Sequence, residues 1–295
     1  MNLYGYIGTI IACILAYLIG SFSWSIFIGK FFFKVDVREY HSKNAGATNT
    51  SRVLGKKLGF AIMFLDMLKI TIVMFITLGI SCIAVGDVNF GSTSYYVPTF
   101  FVLLGHCYPI YYKFKGGKTV SSFLGLLWMT NPYYFLIAAV VWWVVFFIWR
   151  RVSLSSILSA IMVGALCWIP QLSGINVINF DGQLLKDSTL VWFNQFHNLN
   201  YDNYYDSLAL INIMVSLGVI LLVFRHHENI KRLWTGQEKK YDIHKKADIN
   251  KLKKLEITAK SDKINRKIEN SKLKQAELTE EINDLKAAKN KPKKN

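Results

Sequence analysis

Ser42-Lys43-Asn44-Ala45-Gly46-Ala47-Thr48-Asn49-Thr50-Ser51-Arg52 is a small, polar, donor-rich stretch between two strongly apolar runs, Leu3–Phe33 and Leu58–Val85. Apolar runs of that length read as membrane spans, so the fold follows from what a polar segment does beside a bilayer. Small residues let backbone N–H groups approach a ligand closely, and Ser, Thr, Asn and Arg add side-chain donors. That combination suits an anion, most simply a phosphate.

Composition agrees with a membrane setting. The 295 residues are 52% hydrophobic and 15% aromatic, yet carry a formal charge of +16, an unusual pairing for a soluble domain. The excess is uneven. From Arg225 onward 21 Lys and Arg stand against 11 Asp and Glu, a net of +10, whereas residues 1–224 hold 14 against 8, a net of +6. Cys13, Cys82, Cys107 and Cys167 all lie in apolar runs without metal-like spacing, so they read as small buried hydrophobes; no metal or cofactor is expected. With no basic residue ahead of it and no cleavage site after it, Leu3–Phe33 reads as a retained span, not a signal peptide.

The apolar runs predict an all-α polytopic membrane protein of about seven transmembrane helices, near 4–28, 59–85, 96–112, 117–130, 133–149, 153–170 and 207–224. The fourth is short for a crossing, and a tilted or re-entrant segment is its alternative. Loop charge supplies an independent check. Loop 30–57 carries Lys30, Lys34, Arg38, Lys43, Arg52, Lys56 and Lys57, whereas loop 86–95 carries only Asp87. Lys113, Lys115 and Lys118 follow, then the uncharged Asn131-Pro132 turn, then Arg150 and Arg151. Residues 171–206 hold Asp181, Asp187, Asp202 and Asp206 against Lys186 alone, and the tail is basic again. This alternation predicts seven spans with the N-terminus outside and the C-terminus cytosolic in a bacterial inner (plasma) membrane. Residues 1–235 are then a membrane domain with an external loop at 171–206, and 236–295 a basic cytosolic tail. The tail is open to three readings: a short coiled coil, an amphipathic helix on anionic lipid, or a solvated and disordered segment.

Four donor-rich clusters fall on the predicted cytosolic face: Ser42–Arg52; Lys113-Phe114-Lys115-Gly116-Gly117-Lys118-Thr119; Arg150-Arg151-Val152-Ser153-Leu154-Ser155-Ser156; and Arg225-His226-His227-Glu228-Asn229. Each has a plain alternative. The glycine pair could be a tight turn with a snorkelling lysine, the serines helix caps, and the last cluster a stop-transfer boundary. Four on one side of the membrane argue together for phosphate held at the inner surface.

At these residues the sequence resembles the bacterial acyl-phosphate:glycerol-3-phosphate acyltransferases (the PlsY family). The matching pieces are Gly20-Ser21 with Ile28-Gly29-Lys30; Ser42-x-Asn44-x-Gly46-Ala47-Thr48-Asn49-x-x-Arg52; and Leu65-Asp66-x-x-Lys69. Then come Gly105-His106-x-x-Pro109 with Phe114-Lys115-Gly116-Gly117-Lys118; Ser153-Leu154-Ser155-Ser156; and Arg225-His226-x-Glu228-Asn229-Ile230. They occur in the family's order over about residues 5–235. The chain departs in having Lys43 and Thr119 where the family usually has Gly, Ala45 where it has Pro, and His227 where Arg is common.

The resemblance implies a seven-span enzyme with a cytosolic site. It would move an acyl chain from acyl phosphate to the 1-hydroxyl of glycerol 3-phosphate, giving lysophosphatidic acid and phosphate without a cofactor. It implies glycerol 3-phosphate against Ser42, Arg52, Lys118 and Ser153, and acyl phosphate against Asn44, Thr48, Asn49 and nearby backbone. Gly46, Gly116, Gly117 and Ser155 are grouped with the binding residues, while His226 and Asn229 orient the glycerol hydroxyls or neighbouring loops. Membrane lipid is an expected partner, nucleic acid is not, and docking of a soluble acyl-phosphate-producing enzyme on the tail stays open. His197–Asp202 has the His-x-x-x-x-Asp spacing of other acyltransferases but falls in the external loop, where it reads as a chance match. A transporter of organic phosphates and a scaffold acting through its basic tail are the rival functions. The first predicts charged or broken helices at the bilayer midplane. The second would be separated from catalysis by deleting 240–295, which an enzyme of this family should survive.

Overall fold

This computed structural model describes residues 3–169 and 206–241, together with 261, 265 and 268–275. The expected external loop up to residue 205, with His197 and Asp202, and most of the tail lie outside the described residues. The chain divides after Ala247 into two units. In the second, residues 268–275 are helical and exposed.

The first unit is built almost wholly of helices at the predicted apolar runs. The first run gives α1 (Leu3–Ser21) and α2 (Trp24–Phe33), parted where Ser23 turns extended at φ −94° and ψ 104°. After the short α3 (Ala47–Val53) comes α4 (Lys56–Ser81), whose 26 residues reach about 39 Å at 1.5 Å per residue. α5 (Tyr96–Cys107) stops well short of the expected residue 112. Tyr108 precedes Pro109, and the proline ring disfavours helical backbone at the residue before it. α6 (Val120–Thr130) starts late because Thr119 is left-handed, at φ 57°. α7 (Pro132–Trp149) follows at once, with Pro132 in its first turn and the Asn131 side chain accepting from the Tyr133 N–H at 2.9 Å. α8 (Val152–Leu166), α9 (Leu208–Arg225) and α10 (His227–Trp234) complete the unit. One departure from an all-helical reading is a hairpin in the 82–95 loop, β1 (Ala84–Val85) against β2 (Val88–Asn89), antiparallel with Ala84 opposite Asn89.

Among the described residues, three segments can cross a membrane by length and composition: Leu3–Phe33, Lys56–Ser81 and Pro132–Trp149. A fourth arises if α9 and α10, bent by 57°, count as one; α6 and α8 are apolar but shorter. The surface fits a lipid solvent. Ile10 and Ile14 of α1, Phe60 and Phe64 of α4, Val140 and Phe147 of α7 and Ile220 of α9 are all exposed. The buried core joins α1, α4, α5, α6 and α9 through Ala16, Ile70, Met74, Leu103, Phe123, Leu127 and Ile211.

Two features fix this packing. A Cβ at Gly20 would strike the Val102 carbonyl and one at Gly105 the Tyr17 carbonyl, so the α1–α5 crossing depends on both glycines. At the other end Asp206 ties the start of α9 to that of α5. Its carboxylate accepts from Ser94 Oγ at 2.6 Å and from the Tyr95 and Tyr96 N–H groups at 2.7 and 3.0 Å, capping α5 from a distant part of the chain.

Candidate active site

The loop between α2 and α3 is held rigid from below. Arg38 grips Asp36 with both ends of its guanidinium, at 3.1 and 2.8 Å, and Lys30 adds a third contact at 3.1 Å. Burial opposes charge on Asp36, but the hydrogen bonds from Arg38 and Lys30 prevail and hold its carboxyl at about 2. The same guanidinium donates to the Tyr112 and Lys115 carbonyls, each at 3.1 Å, joining this loop to the turn ahead of α6. Asn49 is buried and fully engaged. Its amide donates to the Val37 and Tyr40 carbonyls at 2.6 and 3.3 Å and accepts from the Ser42 N–H at 3.2 Å. Lys43 stands in the left-handed region at φ 54°.

In the second cluster the left-handed residues are Lys113, Phe114 and Thr119, not the glycines. Gly116 and Gly117 are required by space instead. A Cβ on the first would meet the His106 carbonyl, and one on the second His106 Nε2 and the Ala45 carbonyl at 2.5 Å. The Gly117 N–H donates to the His106 carbonyl at 2.9 Å. Arg225, at the end of α9, donates from Nε and a terminal nitrogen to the Gly117 carbonyl, both at 3.2 Å. The turn thus delivers Lys118 to the Asn229 Oδ1, which accepts its ammonium proton.

The third and fourth clusters meet on Glu238, in the segment after α10. Ser153 Oγ donates to its Oε1 at 2.6 Å, Asn229 Nδ2 donates to the same oxygen at 2.7 Å, and Arg232 Nε bonds Oε2 at 2.8 Å. Asn229 also donates to Ser153 Oγ at 2.6 Å. Burial opposes the Glu238 charge, but these donors outweigh it and hold the carboxyl below its ordinary value. Lys118 is pushed down to about 8, first by burial and then by Arg232, Arg225 and Arg52, with Glu238 opposing. His226 is pushed down to about 4 by burial and by Lys118. Its Nδ1 lies 2.8 Å from the Leu222 carbonyl, which can only accept, so the neutral ring carries its proton on Nδ1 and keeps Nε2 as an acceptor.

These segments enclose a cavity of about 700 Å³. Of the residues singled out in the sequence, Ser42, Asn44, Gly46, Thr48, Asn49, Arg52, Lys118, Ser153, His226 and Asn229 line it. Gly116, Gly117 and Ser155 do not; Ser155 is buried with its hydroxyl donating to the Arg151 carbonyl at 3.1 Å, and Ser156 lines the wall instead. The lining holds five Lys or Arg side chains, Lys43, Arg52, Lys118, Arg232 and Lys239, against the single carboxylate of Glu238. The Arg52 side chain makes no hydrogen bond or ion pair among the described residues; its guanidinium lies over the Tyr241 ring, 5.4 Å from its centre. An apolar wall of Phe60, Met63, Met67, Leu124, Phe135 and Trp142 continues the cavity between α4, α6 and α7. Glu238, Arg232 and Tyr241 were not singled out in the sequence, nor was His106 given a role there. In a Lys-rich tail the first three carry no pattern of their own.

Fold and site together define a helical membrane protein with one cation-rich cavity that is polar at one end and apolar at the other. Residues 10–236 match the model of the glycerol-3-phosphate acyltransferase family. A glycerol-3-phosphate acyltransferase of Mycoplasma mycoides subsp. mycoides is 41% identical over 236 residues, covering 77% of this chain and 91% of the relative. That of Staphylococcus aureus is 36% identical over 231 residues, covering 78% and 96%. Among solved structures, PlsY, an integral membrane glycerol 3-phosphate acyltransferase, matches in its glycerol 3-phosphate form with a TM-score of 0.58 and 31% identity, over 79% of this chain and 96% of that one. Its lysophosphatidic acid form matches with a TM-score of 0.56 and 30% identity, over 79% and 95%. The chain belongs to the PlsY family of glycerol-3-phosphate acyltransferases.

Proposed function

We propose that the protein transfers an acyl group from acyl phosphate to the 1-hydroxyl of glycerol 3-phosphate in a bacterial inner membrane, crossing it seven times with the cavity on the cytosolic side. The observation that carries this reading is the convergence of Arg52, Lys118, Ser153 and Asn229 from four separate segments on one cavity with an apolar wall. Two doubly charged phosphates about 6 Å apart repel by roughly 11 kcal/mol at an effective dielectric of 20. Five cations against one carboxylate are suited to offset that. Glycerol 3-phosphate lies against Ser42, Arg52, Lys118 and Ser153. Asn44 and Thr48 take the acyl phosphate, Asn49 acts by holding the 37–42 backbone, and the acyl chain follows the Phe60–Met67 wall.

The glycerol 1-oxygen attacks the acyl carbonyl, the bond from that carbon to the phosphate oxygen breaks, and inorganic phosphate departs. The hydroxyl proton goes to a phosphate oxygen of the substrate. Burial and the neighbouring Lys118 push His226 down to about 4, which weakens it as a competing base. Orientation and charge stabilisation supply the acceleration. The rival base is His226 Nε2, which has no partner among the described residues. With Arg52→Ala and Lys118→Ala reduced by at least about 100-fold, a His226→Ala variant within about tenfold of wild type excludes the histidine as base; a loss equal to theirs reinstates it.

A transporter is less well supported. The charges of α4 that a midplane site would use, Asp66 and Lys69, are buried against each other at 2.7 Å. Purified protein supplied with acyl phosphates of graded length and glycerol 3-phosphate should release lysophosphatidic acid. Uptake of glycerol 3-phosphate into vesicles without product would overturn the enzyme reading.

A further inference from the structure

We propose that Tyr241 is a positioning residue for Arg52, and that segment 236–241 acts as a strap closing the phosphate end of the cavity. This rests on reading Arg52 as a ligand of glycerol 3-phosphate.

The strap is pinned at three points. Gly236 reverses the chain at φ 71°, a left-handed position open to glycine, and returns it toward α8. Glu238 is then held by Ser153, Asn229 and Arg232. Tyr241 closes the strap: its N–H donates to the Arg150 carbonyl at 2.7 Å and its ring meets Phe146 edge-on at 6.0 Å. Its hydroxyl lies 2.6 Å from Ser51 Oγ. The last contact joins the far end of the unit to α3, one residue from Arg52.

The consequence falls on Arg52. A flexible arginine must lose rotamer freedom when it binds an anion, which weakens affinity. A cation–π contact with an anchored ring orders the guanidinium in advance, and it consumes none of the five N–H donors. The observed state has both properties: the Tyr241 ring supports the guanidinium, and no described residue bonds its donors. Tyr241 lies beyond the family match, which ends at residue 236, and a truncation at residue 240 would remove it.

The test uses full-length purified protein carrying Tyr241→Leu or Tyr241→Phe. Binding of radiolabelled glycerol 3-phosphate is measured at equilibrium, alongside kcat and the KM for each substrate. Tyr241→Leu should raise the Kd and KM for glycerol 3-phosphate about tenfold, with kcat and the KM for acyl phosphate within about twofold. Tyr241→Phe, which keeps the ring, should restore affinity to within about threefold of wild type. An unchanged Kd in Tyr241→Leu overturns the inference, as does a fall in kcat and thermal stability at constant Kd, the mark of a merely structural anchor. Wild-type protein that binds glycerol 3-phosphate without turnover removes the acyl-transfer reading alone, and the Kd comparison still decides the role of Tyr241. Wild-type protein that does not bind it removes both.

Discussion

Lys43 and Thr119 hold left-handed backbone at φ 54° and 57°, at two positions where the resemblance to the PlsY family led us to expect glycine. The departures noted in the sequence therefore fall on turns whose geometry favours the missing residue. Left-handed backbone costs a side-chain-bearing residue about 1 kcal/mol or more. Lys43→Gly and Thr119→Gly should each stabilise the protein by about 1 kcal/mol and raise Tm in detergent by a few degrees; an unchanged or lower Tm contradicts this. Lys118 makes the second prediction at this scale. It must be charged to hold phosphate, and burial sets its pKa at about 8. The kcat/KM for glycerol 3-phosphate should therefore fall as pH rises through about 8, and Lys118→Arg should abolish that limb while lowering the rate. A flat profile to pH 9.5 contradicts it. Lys118 and Arg52 were legible in the sequence because a cation beside an apolar span is conspicuous. Glu238 and Tyr241 were not, because their contacts depend on the reversal at Gly236.

At the level of elements, apolar runs were a good guide to where helices lie and a poor one to where they end. Hydropathy alone carried the expected third and fourth spans through Tyr108-Pro109 and Gly117–Thr119, where backbone preferences stop or delay the helix. These interruptions matter because they put the Gly116-Gly117-Lys118 turn beside the cavity. The opposite end of the helices is held differently, through Asp206. Charge counting marked it only as one acid of an outer loop; its cap on α5 joins residues too far apart in sequence to be read from spacing. Asp206→Asn replaces an acceptor with a donor facing N–H groups. It should cost about 1–3 kcal/mol, read as a lower Tm in detergent, while KM for both substrates stays unchanged. An unaltered Tm would show that the cap carries no stability.

Across the whole molecule, the first unit runs through residue 247, so the strap belongs with the helices and not with the tail beyond it. The loop charges and the donor clusters carried the sequence reading to one face and one anion; the packing that joins loop 42–52, the Gly-Gly-Lys turn, the start of α8 and segment 225–241 required the structure. The account depends on that convergence and on its lying at the cytosolic surface. Lys43 and Lys239 line the cavity from the first and last of these segments, and both are exposed. Single cysteines at the two positions, in a background with the exposed Cys82 replaced by Ser, can be labelled with an impermeant maleimide in right-side-out and inverted vesicles. The account predicts labelling of both from the cytosolic side only, slowed at both by glycerol 3-phosphate. Labelling from opposite faces, or a ligand that protects neither position, would contradict it.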